Sequence, residues 1–127
     1  MRFSRTLLWI NCVLFIAFGL AFALTPQWFA TLFTGAAPTT SSAMIDMRAV
    51  YGGVALSLAF LFAQCARNDA YLKLGTQTML AVMLGLASAR SLGIVLDGEP
   101  NLMIWLLLAS EVVMAALALF ALKQLKS

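Results

Sequence analysis

Four ionisable side chains stand inside apolar runs of this sequence: Asp46, Arg48, Arg90 and Glu111. Together they are neutral, and carboxylates set among guanidinium groups can do two kinds of chemistry. They can hold an anionic or carbonyl-bearing ligand through charge-assisted hydrogen bonds. Alternatively, Glu111 can pass protons while Arg48 and Arg90 stabilise developing negative charge. Tyr51, Ser88 and Ser91 stand near enough to Arg48 and Arg90 to join such a network. An ionisable group at the centre of a hydrocarbon layer costs about 2.5 to 3.5 kcal/mol for Asp, Lys or Arg, so it is expected to face a bundle interior and to have a partner.

Other chemistries find no residues to carry them. The chain has no histidine, and its two cysteines, Cys12 and Cys65, have no metal-ligand spacing. No metal site and no cofactor are expected from ligand sets of the usual kind. The cysteines read as small buried hydrophobes in two separate runs. Eight Lys and Arg residues are scattered along the chain with a net charge of +3, which is no basic patch, so no nucleic-acid partner is expected.

The elements that must position these groups follow from composition. Of 127 residues 63% are hydrophobic and 10% charged, with a mean hydropathy of +0.97, whereas soluble domains are roughly half apolar and a quarter charged. The fold class expected is all-α: an integral membrane four-helix bundle filling one domain over residues 1–127. A window of about 20 residues, enough to cross about 30 Å of hydrocarbon, places spans near 7–24, 44–66, 71–96 and 102–122. No barrel-type alternation is present, so helices are the spanning option. Arg2 and Arg5 before Ala21-Phe22-Ala23 also suit a signal peptide, but the run is long for one, and the membrane-span reading is preferred.

The connections carry helix punctuation. Thr25-Pro26 starts a short interfacial helix after the first span, with Trp28, Phe29 and Phe33 at headgroup level. Ser41 or Ser42 is expected to cap the second span, and Pro100 suits the first turn of the fourth. Arg2, Arg5, Arg67, Lys73, Lys123 and Lys126 all lie on one side, which places both termini in the cytoplasm.

With that topology, a rise of about 1.5 Å per residue puts Arg48 about 6 Å, Arg90 about 9 Å and Glu111 about 13 Å below the outer ends of their helices. Arg90 is thereby within reach of Glu111, and Arg48 stands a little higher. Asp46 is two residues from Arg48, on another helix face, and is expected to meet Arg90 across helices. Small residues accompany the charges: Gly52 and Gly53 below Arg48, Gly85 and Gly93 on either side of Arg90. Such stripes let backbones approach closely in lipid. Asn11 and Gln77, deeper toward the cytoplasm, read as hydrogen-bonded glue at one level.

The pattern D-x-R-A-x-Y-G-G at Asp46 to Gly53, A-R-x-L-G at Ala89 to Gly93 and D-G-x-P at Asp97 to Pro100, followed by Trp105 and Glu111, resembles a family. It is a bacterial family of small four-helix membrane proteins catalogued as domain of unknown function 4345. The resemblance covers nearly the whole chain; it implies four helices and a grouping of Arg48, Arg90 and Glu111, and it implies no activity. A looser likeness to the DoxX-like four-helix proteins rests on size and topology. The location these readings imply is the bacterial inner membrane, with several passes. Partners expected are membrane lipids, a small hydrophobic or anionic ligand, and a second copy or larger membrane complex. Three function classes remain open: a ligand-binding or accessory subunit, a membrane enzyme acting on a lipid, quinone or sterol-like molecule with Glu111 as the candidate catalytic residue, and a dimeric small-molecule transporter.

Overall fold

The computed structural model describes residues 2–126. Five helices follow in order: α1 (Arg2–Leu24), α2 (Pro26–Thr34), α3 (Ser41–Ala66), α4 (Leu72–Asp97) and α5 (Leu102–Lys126). A single 3-10 turn, Asp69–Tyr71, precedes α4. Among the described residues there is no strand. Four of the helices, all but α2, are long and apolar enough to cross a membrane. Their outward surfaces carry many large apolar side chains, including Val13 at 63% exposure and Val95 at 79%. Water-soluble monomers rarely expose such continuous apolar surface, and the pattern fits a multi-pass membrane protein.

Helix boundaries at the connections fall close to the ends of the apolar runs. The chain ends differ: α1 starts at Arg2 and α5 continues to Lys126, because a helix carries on past its apolar run where charged side chains can reach polar surroundings. Capping positions also shift by a residue. Thr40, not Ser41 or Ser42, caps α3, its hydroxyl accepting from the Ala43 amide at 3.1 Å. Asn101 caps α5 by accepting from the Ile104 amide at 3.0 Å, which leaves Pro100 outside the helix. The Asn101 amide also donates to the Phe33 carbonyl at 3.2 Å, tying the start of α5 to the end of α2. Glycine closes two helices where φ is positive, Gly35 at 89° after α2 and Gly98 at 97° after α4, a backbone region open to few other residues.

Packing divides the four long helices into two antiparallel pairs, α1 with α3 and α4 with α5. The α1–α3 contact is close enough to require glycine. A Cβ at Gly52 would come within 2.9 Å of the Ala23 Cβ, and one at Gly19 within 2.8 Å of the Leu56 Cγ and 2.9 Å of the Gly52 carbonyl oxygen. A third such point, Gly75 on α4, sits 2.5 Å from the Cys65 Cβ, measured to the Cβ it lacks. There α1, α3 and α4 meet in the main core, which includes Leu8, Cys12, Ala59, Phe62, Cys65, Leu72 and Met79. Both cysteines are buried and free.

The core lies toward the end that carries the chain termini, here called proximal. Every fully buried residue of α4 falls between Leu72 and Met83, and none lies between 84 and 97. In its distal half α4 therefore leaves the α1–α3 pair and keeps company mainly with α5. Gly53 and Gly85 are exposed, with nothing within 4 Å of an added Cβ, and a Cβ at Gly93 would meet only Asp97 of its own helix at 3.8 Å. These three do not mediate close approach within the chain, and the expectation that they pack beside the charges is corrected: α3 presents Gly52 to α1 and turns Gly53 away.

A side chain forced into the α1–α3 contact should overpack it, at about 1 to 3 kcal/mol. Gly52→Leu and Gly19→Leu are expected to lower the unfolding midpoint in detergent, followed by loss of helical circular dichroism. Gly53→Leu should leave it nearly unchanged.

Candidate functional site

Between Arg48 and Gly53, α3 is wound as a π-helix, with the Val54 amide donating to the Ala49 carbonyl five residues back. Such turns accommodate an extra residue within an α-helix and often occur at functional sites. The extra residue changes which way the preceding turn faces. On a regular helix Arg48 would share a stripe with Gly52, Ala55 and Ala59. Those three are buried, but Arg48 is exposed. Its guanidinium instead donates through Nη1 to the carbonyl of Ala23 and, at 3.5 Å, to that of Leu24. These are among the last carbonyls of α1, which have no partner inside their own helix, and a cation there also meets the negative end of the helix dipole.

Arg5 does the same at the proximal end. Its Nε donates to the Ala66 carbonyl at the end of α3 at 2.9 Å, and its Nη2 pairs with Asp69. Thus α1 and α3 each supply an arginine to the other's C-terminus. Sequence reasoning treated Arg5 as a flanking charge only; nothing in its spacing showed that Ala66 would stand beside it.

One pair of the four expected charges comes together. Arg90 Nε donates to Glu111 Oε1 at 2.9 Å and Nη2 to Oε2 at 2.7 Å, a bidentate fork between α4 and α5. The helix directions explain why they meet. Cβ atoms lean toward the N-terminus of their helix; α4 and α5 are antiparallel, so Arg90 leans proximally and Glu111 distally, toward each other. The Glu111 side chain is 6% exposed and that of Arg90 23%. Glu111 opens a stripe that continues through Ala115, Ala118 and Ala121, all buried, so small residues let α5 carry the acid into the bundle.

The remaining candidates stand apart. Asp46 is exposed and has no hydrogen-bond or ion-pair partner among the described residues, so it does not meet Arg90. Arg48 does not reach Glu111, because α1 carbonyls hold it. Tyr51 is half exposed, with its ring edge-on to Phe22 at 5.2 Å. Ser88 and Ser91 are exposed and unpartnered among the described residues. Two shallow surface depressions lie elsewhere: one runs along α1 at Trp9, Ile10 and Val13, the other beside α2 at Trp28 and Leu32.

Asn11 and Gln77 also part company. Gln77 is exposed, whereas Asn11 is fully buried, its amide donating to the Leu7 carbonyl at 2.9 Å and touching the sulfurs of Met79 at 2.7 Å and Met114 at 3.3 Å. Asn11 Oδ1 and Ser4 Oγ are buried without a partner among the described residues. Among the described residues no cluster of His, Cys, Asp or Glu could hold a metal ion.

Removing one member of a buried pair strands the other, at about 3 kcal/mol or more, while replacing both by apolar residues can be nearly neutral. Glu111→Leu is expected to lower stability in detergent far more than the double variant Arg90→Leu, Glu111→Leu. A double-mutant cycle read by chemical denaturation checks the sign and size of this coupling.

The chain matches no curated protein and no solved structure. A family profile does match, over residues 3–122, which takes in the π turn, both arginine caps and the Arg90–Glu111 pair. The chain belongs to the family described as Domain of unknown function (DUF4345).

Proposed function

We propose that this chain is a binding or accessory subunit of a bacterial inner membrane, with both termini cytoplasmic, α2 lying at the outer interface, and the Arg90–Glu111 pair serving as its binding site in the outer half. The observation that carries this reading is the unequal use of the pair: Glu111 is held at both oxygens and shielded, while the more exposed Arg90 side chain engages only Nε and Nη2. An ionisable residue inside a membrane span marks a functional site by default. A binding role is favoured over a proton shuttle at Glu111 because the adjoining Arg90 holds the carboxylate in its charged form.

An accessory role draws support from α4, whose Gly85, Ala89 and Gly93 leave a surface of small residues that no other helix covers among the described residues. Small residues of this kind suit the close approach of another helix, from a second copy or a larger membrane complex.

The test is mass spectrometry of small molecules retained by the protein after purification in mild detergent. A bound molecule should survive in the wild type and in Arg48→Ala, and be lost from Arg90→Ala. Equal retention by all three proteins, or an empty wild type, would overturn the binding reading.

A further inference from the structure

A guanidinium group has five N–H donors and no acceptor. Glu111 takes two of those on Arg90, one from Nε and one from Nη2. Both hydrogens of Nη1 and the second of Nη2 have no acceptor among the described residues. Two of these three point in parallel from the edge between Nη1 and Nη2, the geometry that takes a single oxygen or a forked pair. They do so seven residues before the end of α4 at Asp97, about 10 Å along the helix, one turn from exposed Leu86. In hydrocarbon an unsatisfied N–H costs several kcal/mol. An acceptor other than the described residues is therefore required.

The charge of the site selects the kind of acceptor. Arg90 and Glu111 cancel, so an anion arriving at the free edge would leave a net negative cluster in a medium that penalises buried charge. An uncharged oxygen leaves the cluster neutral.

We propose that the free edge of Arg90 binds the uncharged carbonyl oxygen of an amphiphile dissolved in the bilayer, in preference to a carboxylate, and that Glu111 sets this preference. The proposal rests on the reading of the pair as a binding site and adds the ligand's chemistry. Ester carbonyls of the surrounding phospholipid and carbonyls of a free amphiphile are its two sources.

The experiment follows the arginine side-chain nitrogen resonances of the labelled full-length protein in diether phospholipid bilayers, which contain no ester carbonyl. Arg90→Lys assigns the signal. Methyl palmitate should shift the Arg90 signal saturably, and palmitate should need at least a tenfold higher concentration. In Glu111→Gln the order should reverse, since palmitate then balances the arginine. The wild-type comparison stands even if that variant does not fold. In diester phospholipid, a signal already shifted and insensitive to methyl palmitate assigns the site to bilayer lipid; a signal that still responds assigns it to a free amphiphile. Palmitate binding the wild type as tightly as the ester would overturn the carbonyl preference and leave the binding site standing. No response to either probe would overturn both.

Discussion

A helix that ends near a hydrocarbon layer leaves its last carbonyls without donors, since neither its own turns nor the lipid can supply any. In this protein α1 and α3 solve the problem for each other. Arg48 of α3 reaches the carbonyls of Ala23 and Leu24, and Arg5 of α1 reaches that of Ala66. Such an exchange works only if the two helices run antiparallel and close together, which Gly19 and Gly52 permit. The α1–α3 pair is thus fixed at both ends and in its distal half, and it forms the frame on which α4 and α5 are laid.

The second pair is built on a different principle. Its proximal half is ordinary core, with Leu72, Thr76 and Met79 of α4 and Ala118 and Ala121 of α5 fully buried. Its distal half has the Arg90–Glu111 fork in place of apolar burial. Where α4 separates from the frame, little packing remains to hold it to α5 beyond their mutual contact, and a bidentate ion pair in a low-dielectric setting is specific in both distance and angle. The property that makes the pair a useful tether, a fork that engages one edge of the guanidinium, is also what leaves the arginine partly unused.

How much of this was legible in the sequence depends on whether the signal is local. The apolar runs set the connection ends of four long helices, because hydrocarbon thickness imposes a length that needs no tertiary knowledge. The rise per residue brought Arg90 within reach of Glu111 for the same reason. Arg48 was misplaced because a stripe drawn at regular helical spacing assumes an α-helix, and nothing in R-A-V-Y-G-G announces a π turn. Gly53, Gly85 and Gly93 looked equivalent to Gly52, yet only the choice of neighbouring helix decides which glycine is used. That choice also hid Gly19 and Arg5, whose partners are more than thirty residues away, and Gly75, whose partner Cys65 stands on the preceding helix.

The π turn has a further consequence for how the chain tolerates change. It stores one residue more than a continuous α-helix would need between Ser41 and Ala66, in the way a pleat stores cloth. Letting it out would rotate everything before Arg48 by about 100° around the axis relative to everything after Gly53. The buried face through Gly52, Ala55 and Ala59 would keep its place, and the connection from α2 would have to follow the turn. Length in this helix is therefore linked to direction: a one-residue deletion between 48 and 53 would act as a twist on the distal end, while the proximal core around Phe62 and Cys65 felt nothing.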